Sequence, residues 1–392
     1  MYTLSLMQKI IKLVQKASTP EKKPVLERKH KTTERKDGSL HFLITCQSGL
    51  ESLVKRDCEK LRLEDIHAQD RLVKCSGTQK NLYELLVWSR FANRVYLSLA
   101  EESITDFERL FAVCADIDWG AYITGRERII IEASSTRSTL SSIPTIQSIA
   151  QKAIYGTMNT PNTTSGVEVH ILILIIDDIA HILLDVTGEP LHKRGYRIEA
   201  GEAPIKENLA AALVAWSNWK YSTPLIDPFC GSGTIAIEAA MIARNIAPGL
   251  MRHFRTESLV SHDRTIYEEV KKEARTKSYP SGKYTIIGRD IEPEMIRIAH
   301  GNAMRAWMQD DVVFEVGNYT ESSITDKTIV TNPPYGNRLQ WVDLGDIYDK
   351  LKREIEWGAG GFITSYDIGK NQLANKKVLN GAEECRYWYK KN

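Results

Sequence analysis

The sequence predicts an α/β fold in which a parallel sheet closed by an antiparallel hairpin follows a separate α+β module. Three observations support this prediction. From Pro224 onwards, short apolar runs alternate with stretches of helical length, which is typical of a parallel sheet with right-handed crossovers. Near the C terminus, two strand-like runs flank Asn380-Gly381, a strong hairpin signal. Before residue 189, hairpin and helix patterns are mixed and do not alternate.

Composition limits the class of protein. The chain has 392 residues, of which 42% are hydrophobic, so we expect two or three globular domains. The net charge of +2 means that any affinity for nucleic acid must come from local patches. The best apolar run, residues 169–176, is too short to span a membrane. Six cysteines include no Cys-x-x-Cys pair, so we expect no metal site and a reducing, cytoplasmic setting.

We expect three parts, comprising residues 1–40, 41–188 and 189–392. Residues 1–38 carry ten Lys or Arg against four acidic residues, and Leu6, Ile10, Leu13 and Val14 could form one face of a short helix. Three interpretations of this basic extension are open: a solvated extension, an arm that contacts RNA, or a targeting segment.

The middle part reads as an α+β module. Its predicted strands are residues 42–45, 94–99, 128–132, 167–176 and 180–186, and its predicted helices are residues 49–63, 79–92, 107–113 and 145–155. Asp177-Asp178 joins the last two strands tightly.

The third part alternates strand and helix. Its predicted strands are residues 225–227, 284–287, 312–316, 328–330 and 361–364, and its predicted helices are residues 235–243, 293–306 and 346–357. An earlier helix begins near Pro204, and residues 244–282 form an insertion with a helix around 266–274. A parallel sheet that ends in an antiparallel hairpin is typical of the Rossmann-like methyltransferase fold.

The chain is organised around Asn332-Pro333-Pro334-Tyr335, which follows a buried strand. Two prolines forbid further sheet pairing, so an amide and an aromatic ring are presented at the carboxyl end of a strand, where α/β proteins bind ligands. The Asn332 side-chain oxygen and the Pro333 carbonyl could accept both hydrogens of a planar amine and localise its lone pair. Tyr335 could stack on the ring that carries this amine. The motif predicts methylation of a conjugated amine; an ordinary loop is the alternative, since Asn-Pro often opens a turn.

A second motif predicts the methyl donor. The strand 225–227 ends at Asp227, and the loop that follows has glycines at 231 and 233 directly before a helix, so exposed N–H groups could receive an anionic group. We infer the carboxylate of S-adenosylmethionine, with Asp227 on its ammonium group and Asp290 on its ribose hydroxyls. Asn318 could accept from the adenine amine. The predicted cofactor residues are Asp227, Phe229, Gly231, Gly233, Thr234, Asp290, Ile291 and Asn318. A NAD site, a bare turn at the glycines and a plain turn at Asn318 are the alternatives.

Residues 191–197 form a basic segment outside regular structure. Arg194, Tyr196 and Arg197 could serve phosphate contact and base stacking on a nucleic acid. A solvated linker explains the same composition equally well.

With these motifs in place, the chain resembles the THUMP-domain RNA methyltransferases, specifically the bacterial large-subunit ribosomal RNA guanine-N2 methyltransferase family. Residues 42–46, 49–51, 191–197, 202–204, 227–234, 243–249, 332–336 and 380–381 carry the resemblance. It implies a class I methyltransferase domain preceded by a ferredoxin-like plus THUMP module that holds structured RNA. Arg338 matches the family and is implied to hold RNA or substrate, whereas Asn337 stands where the family usually has Glu.

The predicted activity is transfer of a methyl group from S-adenosylmethionine to the exocyclic N2 amine of a guanine in structured RNA, with 23S ribosomal RNA as the expected partner. The Asn-Pro-Pro-Tyr motif is predicted to bind the amine nitrogen and does not distinguish the ring that carries it. Guanine in tRNA and adenine N6 in RNA or DNA are therefore alternatives. Glutamine methylation in proteins uses the same motif. A non-catalytic RNA-binding assembly factor is the alternative from a different class.

Overall fold

The computed structural model describes residues 39–159, 166–199, 204–321, 324, 326–335 and 344–391. The described chain forms two seven-stranded sheets, one in each half. The predictions about residues 1–38 and Arg338 lie outside the described residues. None of the described helices is both long enough and apolar enough to cross a membrane.

The first sheet belongs to the predicted α+β module. Its strands are β1 (Leu40–Cys46), β2 (Glu64–Gln69), β3 (Leu72–Gly77), β4 (Ala92–Ser103), β5 (Arg128–Thr136), β6 (Glu168–Ile176) and β7 (Ile179–Asp185), in the order β2-β3-β1-β4-β7-β6-β5. Its helices are α1 (Glu51–Lys60), α2 (Gln79–Trp88), α3 (Phe107–Ala115) and α4 (Ile143–Met158). Strands β5 and β6 pair in parallel across α4, and the other neighbours are antiparallel.

Two details of this module differ from the sequence prediction or extend it. The β2–β3 hairpin is absent from the prediction because β2 is a polar edge strand with almost every residue exposed, so it carries no apolar alternation. The tight β6–β7 connection is confirmed. Asp177 and Asp178 have φ of +51° and +60°, the left-handed pair that a two-residue hairpin turn needs.

The second sheet confirms the predicted parallel sheet and hairpin. Its strands are β8 (Leu225–Asp227), β9 (Ile286–Asp290), β10 (Val313–Val316), β11 (Thr328–Thr331), β12 (Ala359–Thr364), β13 (Ala374–Asn380) and β14 (Glu383–Tyr389), in the order β10-β9-β8-β11-β12-β14-β13. The helices around it are α5 (Glu207–Trp216), α6 (Thr234–Ala243), α7 (Arg264–Thr276), α8 (Pro293–Arg305) and α9 (Leu344–Trp357). Strand order reverses between β8 and β11, and an open sheet binds ligands outside the carboxyl ends of its strands at such a point.

The insertion between α6 and β9 packs the two halves together. Its helix α7 lies against α2, where the Tyr267 and Tyr83 rings meet edge to face with centroids 5.2 Å apart. Lys80 Nζ lies 2.7 Å from Glu273 Oε1, and the Tyr83 hydroxyl accepts a hydrogen bond from Asp263 N. One cluster of buried apolar side chains among the described residues includes members of both sheets. The insertion therefore fixes the N-terminal module against the second sheet.

Candidate functional site

A cavity of about 490 Å³ opens at the carboxyl ends of β8, β9, β10 and β11. It collects residues from both sequence motifs, so Gly231 and Asn332 share one cavity. The predicted site residues that line it are Asp227, Phe229, Gly231, Thr234, Asp290, Ile291, Asn318 and Asn332. Pro334 also lines the cavity, whereas Gly233, Pro333 and Tyr335 do not contribute to its wall.

Asp227 presents an unpaired oxygen at this cavity. Its Oδ1 accepts hydrogen bonds from the Thr331 hydroxyl at 2.6 Å and from Phe229 N at 3.2 Å. Its Oδ2 is buried and has no hydrogen-bond partner among the described residues. Burial raises the pKa of Asp227 to about 7, against the smaller opposing effect of the Thr331 hydroxyl. A buried unpaired acceptor costs about 1–3 kcal/mol, so this carboxylate is arranged for a donor that the described residues do not supply.

Asn332 presents a second unpaired oxygen at the same cavity. Its Oδ1 is buried without a hydrogen-bond partner among the described residues, directly after β11. Thr331, the residue before it, donates to Asp227 Oδ1, so one hydrogen bond holds the strand ends that carry Asp227 and Asn332 next to each other. The sequence prediction missed Thr331, although its position next to Asn332 at the end of a buried strand is a signal that it could contact the neighbouring strand.

The N–H groups of both glycines in the loop before α6 are bonded within the protein. Gly231 N–H donates to Asp290 Oδ2 at 2.8 Å, and Gly233 N–H donates to the Cys230 carbonyl at 2.8 Å. These two N–H groups are therefore not available to a ligand, and the contact of an anionic group with N–H groups at the start of α6 stays a prediction. Gly231 has φ +51° and open space where a Cβ would lie, whereas Gly233 has φ +82° and lies against Phe314 and Ala299.

Asp290 keeps the position predicted for a ribose contact. Its carboxylate accepts from Gly231 N and from Glu292 N at 3.0 Å, one hydrogen bond on each oxygen, which leaves acceptor capacity toward the cavity. Ile291 is exposed at the rim, and the Phe229 ring packs against Tyr319 with centroids 5.0 Å apart. Thr234 is buried at the start of α6.

Asn318 does not offer its oxygen in the predicted way. Its Oδ1 accepts from Thr320 N at 3.1 Å and from the Thr320 hydroxyl at 2.9 Å, and its Nδ2 donates to Glu321. The side chain therefore shapes the turn after β10, which is the alternative that the sequence left open.

Tyr335 lies away from the cavity, so the structure does not show the predicted stacking geometry. Its side chain is 2% exposed, and its hydroxyl accepts a hydrogen bond from Asn380 Nδ2 at 2.5 Å, at the tip of the β13–β14 hairpin. Pro333 is buried beside it. The Pro334 carbonyl accepts from the Tyr348 hydroxyl at 3.0 Å, which ties the double-proline turn to α9.

The basic segment after β7 is a buried junction and not an exposed nucleic-acid contact. Arg194 Nε lies 3.3 Å from Glu238 Oε1, and the Tyr196 hydroxyl donates to the same oxygen at 3.3 Å. Arg197 pairs with Glu207 at 3.0 Å. The predicted RNA roles of Arg194, Tyr196 and Arg197 are wrong in this structure because all three side chains are bonded inside the protein. The sequence prediction did not include Glu238, the partner of Arg194 and Tyr196. Its position as the one charged residue in the apolar helix α6 indicates a buried carboxylate that needs a partner.

No cluster of His, Cys, Asp or Glu side chains that could hold a metal ion occurs among the described residues. Burial raises the pKa of the Cys230 thiol, which keeps this cysteine beside the cavity in its neutral form. Among the predicted site residues that line the cavity, Asp227, Asp290 and Asn332 have acceptor oxygens that the described hydrogen bonds leave available.

Comparisons with known proteins match both halves of the chain. A family model described as "RMKL-like, methyltransferase domain" matches residues 194–366, and one described as "RlmL ferredoxin-like domain" matches residues 41–96. YpsC of Bacillus subtilis (strain 168), which is named as an RNA methyltransferase, is 32% identical over 374 residues, 89% of this chain and 96% of YpsC. The ribosomal RNA large subunit methyltransferase K/L of Photobacterium profundum is 32% identical over 368 residues, 88% of this chain and 52% of that protein. The chain thus spans about half the length of this second relative.

Two solved structures superpose on almost the whole chain. A protein of Clostridium difficile 630 described as a possible methylase has a TM-score of 0.84 and 34% identity, covering 90% of this chain and 98% of its own. SMU.472, described as a methyltransferase complexed with SAH, has a TM-score of 0.80 and 29% identity, covering 91% of this chain and 99% of its own. These matches confirm the Rossmann-like class I methyltransferase fold with a ferredoxin-like N-terminal module. The chain therefore belongs to the family of RMKL-like methyltransferases, enzymes whose methyl donor is S-adenosylmethionine.

Proposed function

We propose that this enzyme methylates the exocyclic N2 amine of a guanine in structured RNA, with large-subunit ribosomal RNA as its substrate. The observation that carries the proposal is the pair of unpaired acceptors, Asp227 Oδ2 and Asn332 Oδ1, on one cavity. The Asp227 carboxylate suits a cationic group, and the Asn332 amide oxygen suits the N–H of a neutral amine. A cationic methyl donor and an amine that receives the methyl group would together use both oxygens.

The donor half of the cavity fits S-adenosylmethionine, which supplies an electrophilic methyl group on a sulfonium. Asp227 accepts from the ammonium of the methionine moiety and thereby gains the partner that its Oδ2 lacks. Asp290 accepts from ribose hydroxyls. The Phe229 ring and Ile291 provide apolar surface for the adenine, and the space at Gly231 lets the ligand approach the backbone. The SAH that SMU.472 binds is the demethylated form of this donor.

The acceptor half would hold the amine while its nitrogen bonds to the methyl group and the methyl–sulfonium bond breaks. The methylated nitrogen becomes acidic as it forms and would release one N–H proton to solvent, so no strong base is required. The nitrogen lone pair of an aromatic amine is delocalised into the ring and attacks poorly. Asn332 Oδ1 accepts one N–H of this amine. The motif predicts the Pro333 carbonyl as acceptor of the second N–H, and Pro333 would have to turn its carbonyl toward the cavity, whose wall it does not form in this structure. These two hydrogen bonds favour a pyramidal nitrogen whose lone pair points at the methyl group. Holding both reactants in attack geometry contributes on the order of 7–11 kcal/mol.

RNA is the proposed substrate because of the N-terminal module and the relatives. Residues 41–96 match the ferredoxin-like domain of RlmL, and two relatives at 32% identity are named as RNA or ribosomal RNA methyltransferases. We assign the remainder of the module, through β7, to the THUMP part of the RNA-binding unit. Taking a base out of its stack costs a few kcal/mol, and shape and phosphate contacts of this module with RNA offset that cost.

The test is methyl transfer with an isotopic label, followed by nucleoside analysis. Purified enzyme is incubated with labelled S-adenosylmethionine and with ribosomal RNA, tRNA or duplex DNA, and the products are hydrolysed and identified by mass spectrometry. We expect N2-methylguanosine in large-subunit ribosomal RNA. N6-methyladenosine as the product would contradict the guanine assignment, label in tRNA alone would contradict the ribosomal one, and label in DNA alone would contradict the RNA one.

A further inference from the structure

Tyr366 provides an exposed aromatic ring at the edge of the sheet that carries the cavity. It follows β12 by two residues, and β12 is the parallel neighbour of β11, the strand that Asn332 directly follows. Its side chain is 38% exposed. Because parallel strands end at the same edge, Tyr366 and Asn332 lie on one side of the second sheet.

One face of the Tyr366 ring is already covered by a buried ring. Tyr348 of α9 stacks on it with centroids 4.8 Å apart and an interplanar angle of 11°. Tyr348 is itself buried, so the exposed part of Tyr366 faces away from it. Because Tyr348 already holds the Tyr366 ring in place, stacking of a second planar group on Tyr366 should cost little side-chain conformational entropy.

Hydrogen bonds connect this stacked pair to the acceptor turn. The Tyr348 hydroxyl lies 3.0 Å from the Pro334 carbonyl and 2.7 Å from the Thr364 hydroxyl. The Thr364 hydroxyl also accepts from Tyr366 N at 2.9 Å. Tyr366 is therefore fixed relative to the double-proline turn through Tyr348 and Thr364.

The tyrosine of the motif does not provide such a surface. Tyr335 is buried and bonded to Asn380, as described above. A base at the acceptor turn accordingly needs its stacking partner elsewhere on the same edge, and Tyr366 has the exposure, the rigidity and the connection to Pro334 that this role requires.

We propose that Tyr366 stacks on a base of the RNA substrate at the acceptor turn. The inference rests on the proposed function, because it needs RNA as the acceptor. Base–aromatic stacking tolerates any base, so Tyr366 would contribute affinity and orientation while Asn332 contributes the choice of an amine. Tyr366 is not one of the described residues that line the cavity, so its replacement should leave the donor half unchanged.

The experiment compares Tyr366→Ala, Tyr366→Leu, Tyr366→Phe and Tyr366→Trp in methyl transfer to the RNA that the wild-type enzyme modifies. We expect the Ala and Leu variants to lose roughly 5- to 100-fold in kcat/KM for RNA, while Phe and Trp stay near the wild-type value because a flat ring remains. Affinity for S-adenosylmethionine, measured by calorimetry, should be the same in all four variants.

Trp357→Ala is the matched control. Trp357 is 88% exposed but lies at the amino end of β12, the opposite edge of the sheet, so its removal should leave kcat/KM unchanged. If Tyr366→Ala behaves like Trp357→Ala, the stacking role is wrong while the proposed function stands. If Leu restores the activity, or if cofactor affinity falls in parallel with activity, Tyr366 has only a packing role. If the wild-type enzyme labels no RNA, the proposed function itself fails.

Discussion

The ionised form of Asp227 is destabilised by burial in the folded protein. Its pKa in the folded chain is about 7, above the 3.8 of an exposed aspartate, because burial penalises the charged form. The folded state therefore binds this proton more tightly than the unfolded state does, and the resulting stability is lost as the pH rises from about 4 to about 7. The chain keeps a buried carboxylate at a cost to its own stability at neutral pH, which is reasonable where a cationic ligand supplies the missing partner.

The affinity for S-adenosylmethionine should accordingly depend on pH. The ammonium binds the ionised form of Asp227, so the dissociation constant should rise by about tenfold for each pH unit below about 7. The neighbouring carboxylate of Asp290 raises the pKa of Asp227 as well, and the Thr331 hydroxyl lowers it. Calorimetry at several pH values below the pKa of the ligand amine measures this slope.

Variants of Thr331 and Asp227 distinguish the titration of Asp227 from other effects of pH on donor binding. Thr331→Val removes the donor to Asp227 and should move the pH midpoint of binding upward, while Thr331→Ser retains it. Asp227→Asn should bind the donor weakly at every pH. A wild-type affinity that does not change below pH 7 would contradict the pairing of Asp227 with the ammonium.

Asn332 should act on the chemical step and not on donor binding. Asn332→Ala removes the amide acceptor at the cavity, and we expect kcat to fall on the order of 10²-fold or more with unchanged cofactor affinity. Asn332→Asp keeps an acceptor oxygen at the same place and should retain more activity than the Ala variant. Single-turnover assays with labelled donor measure the step directly, and full activity of Asn332→Ala would contradict the assignment.

At the scale of elements, Gly233 in the loop before α6 has both a left-handed backbone conformation and a close contact with neighbouring side chains. Gly233 precedes α6 with φ +82°, and a Cβ there would lie 2.9 Å from Phe314 Cζ and 3.0 Å from Ala299 Cβ. Gly231 has φ +51° with nothing within 4 Å of the same position. Both glycines permit the left-handed backbone, but only Gly233 also allows β10 and α8 to pack against the loop.

Gly233→Ala should therefore destabilise the fold more than Gly231→Ala. Each variant carries about 1–2 kcal/mol of left-handed strain, and Gly233→Ala adds an overlap with two buried side chains. Thermal or urea unfolding of both variants, without ligand, provides the comparison. Equal losses in the two variants would show that the packing of Phe314 and Ala299 adjusts to a methyl group.

At the scale of the whole molecule, buried charges join the two sheets. Glu238 lies on α6, directly after the glycine loop, and contacts Arg194 of the segment after β7. Arg90, which follows α2 in the N-terminal module, lies 3.7 Å from the other Glu238 oxygen, and burial lowers its pKa. The Arg194 guanidinium also donates to the Arg90 carbonyl at 2.5 Å. One carboxylate thus fixes the N-terminal module relative to the cofactor loop.

Glu238→Ala should cost about 3–5 kcal/mol in the free energy of unfolding, because it leaves two buried guanidinium groups without their carboxylate. Glu238→Gln keeps an acceptor for Arg194 and Tyr196 and should cost less. Glu294→Ala, which breaks an exposed pair with Arg297, is the control and should leave unfolding unchanged. Denaturant unfolding measures the free energy of unfolding of all three variants. If Glu238→Ala lowers it no more than Glu294→Ala does, Glu238 does not stabilise the contact between the two sheets.

The sequence by itself determined the backbone plan of this protein. Apolar runs that end at Asp227, Asp290 and Asn332 predicted three strand ends on one edge, and Asn380-Gly381 predicted the closing hairpin. These signals are local, because a strand, a turn or a glycine conformation is encoded within a few neighbouring residues. A polar edge strand such as β2 has no such signal, and the sequence prediction missed it.

The tertiary structure alone decided which side chains reach the cavity. Arg194 meets Glu238 across 44 residues and Tyr335 meets Asn380 across 45, and both pairings withdraw a predicted functional side chain into the protein. Whether an arginine faces RNA or a buried glutamate, and whether a tyrosine faces a base or a hairpin, depends on what the fold brings opposite it. That partner is set by long-range packing, and neither the spacing nor the identity of the residues in a motif records it.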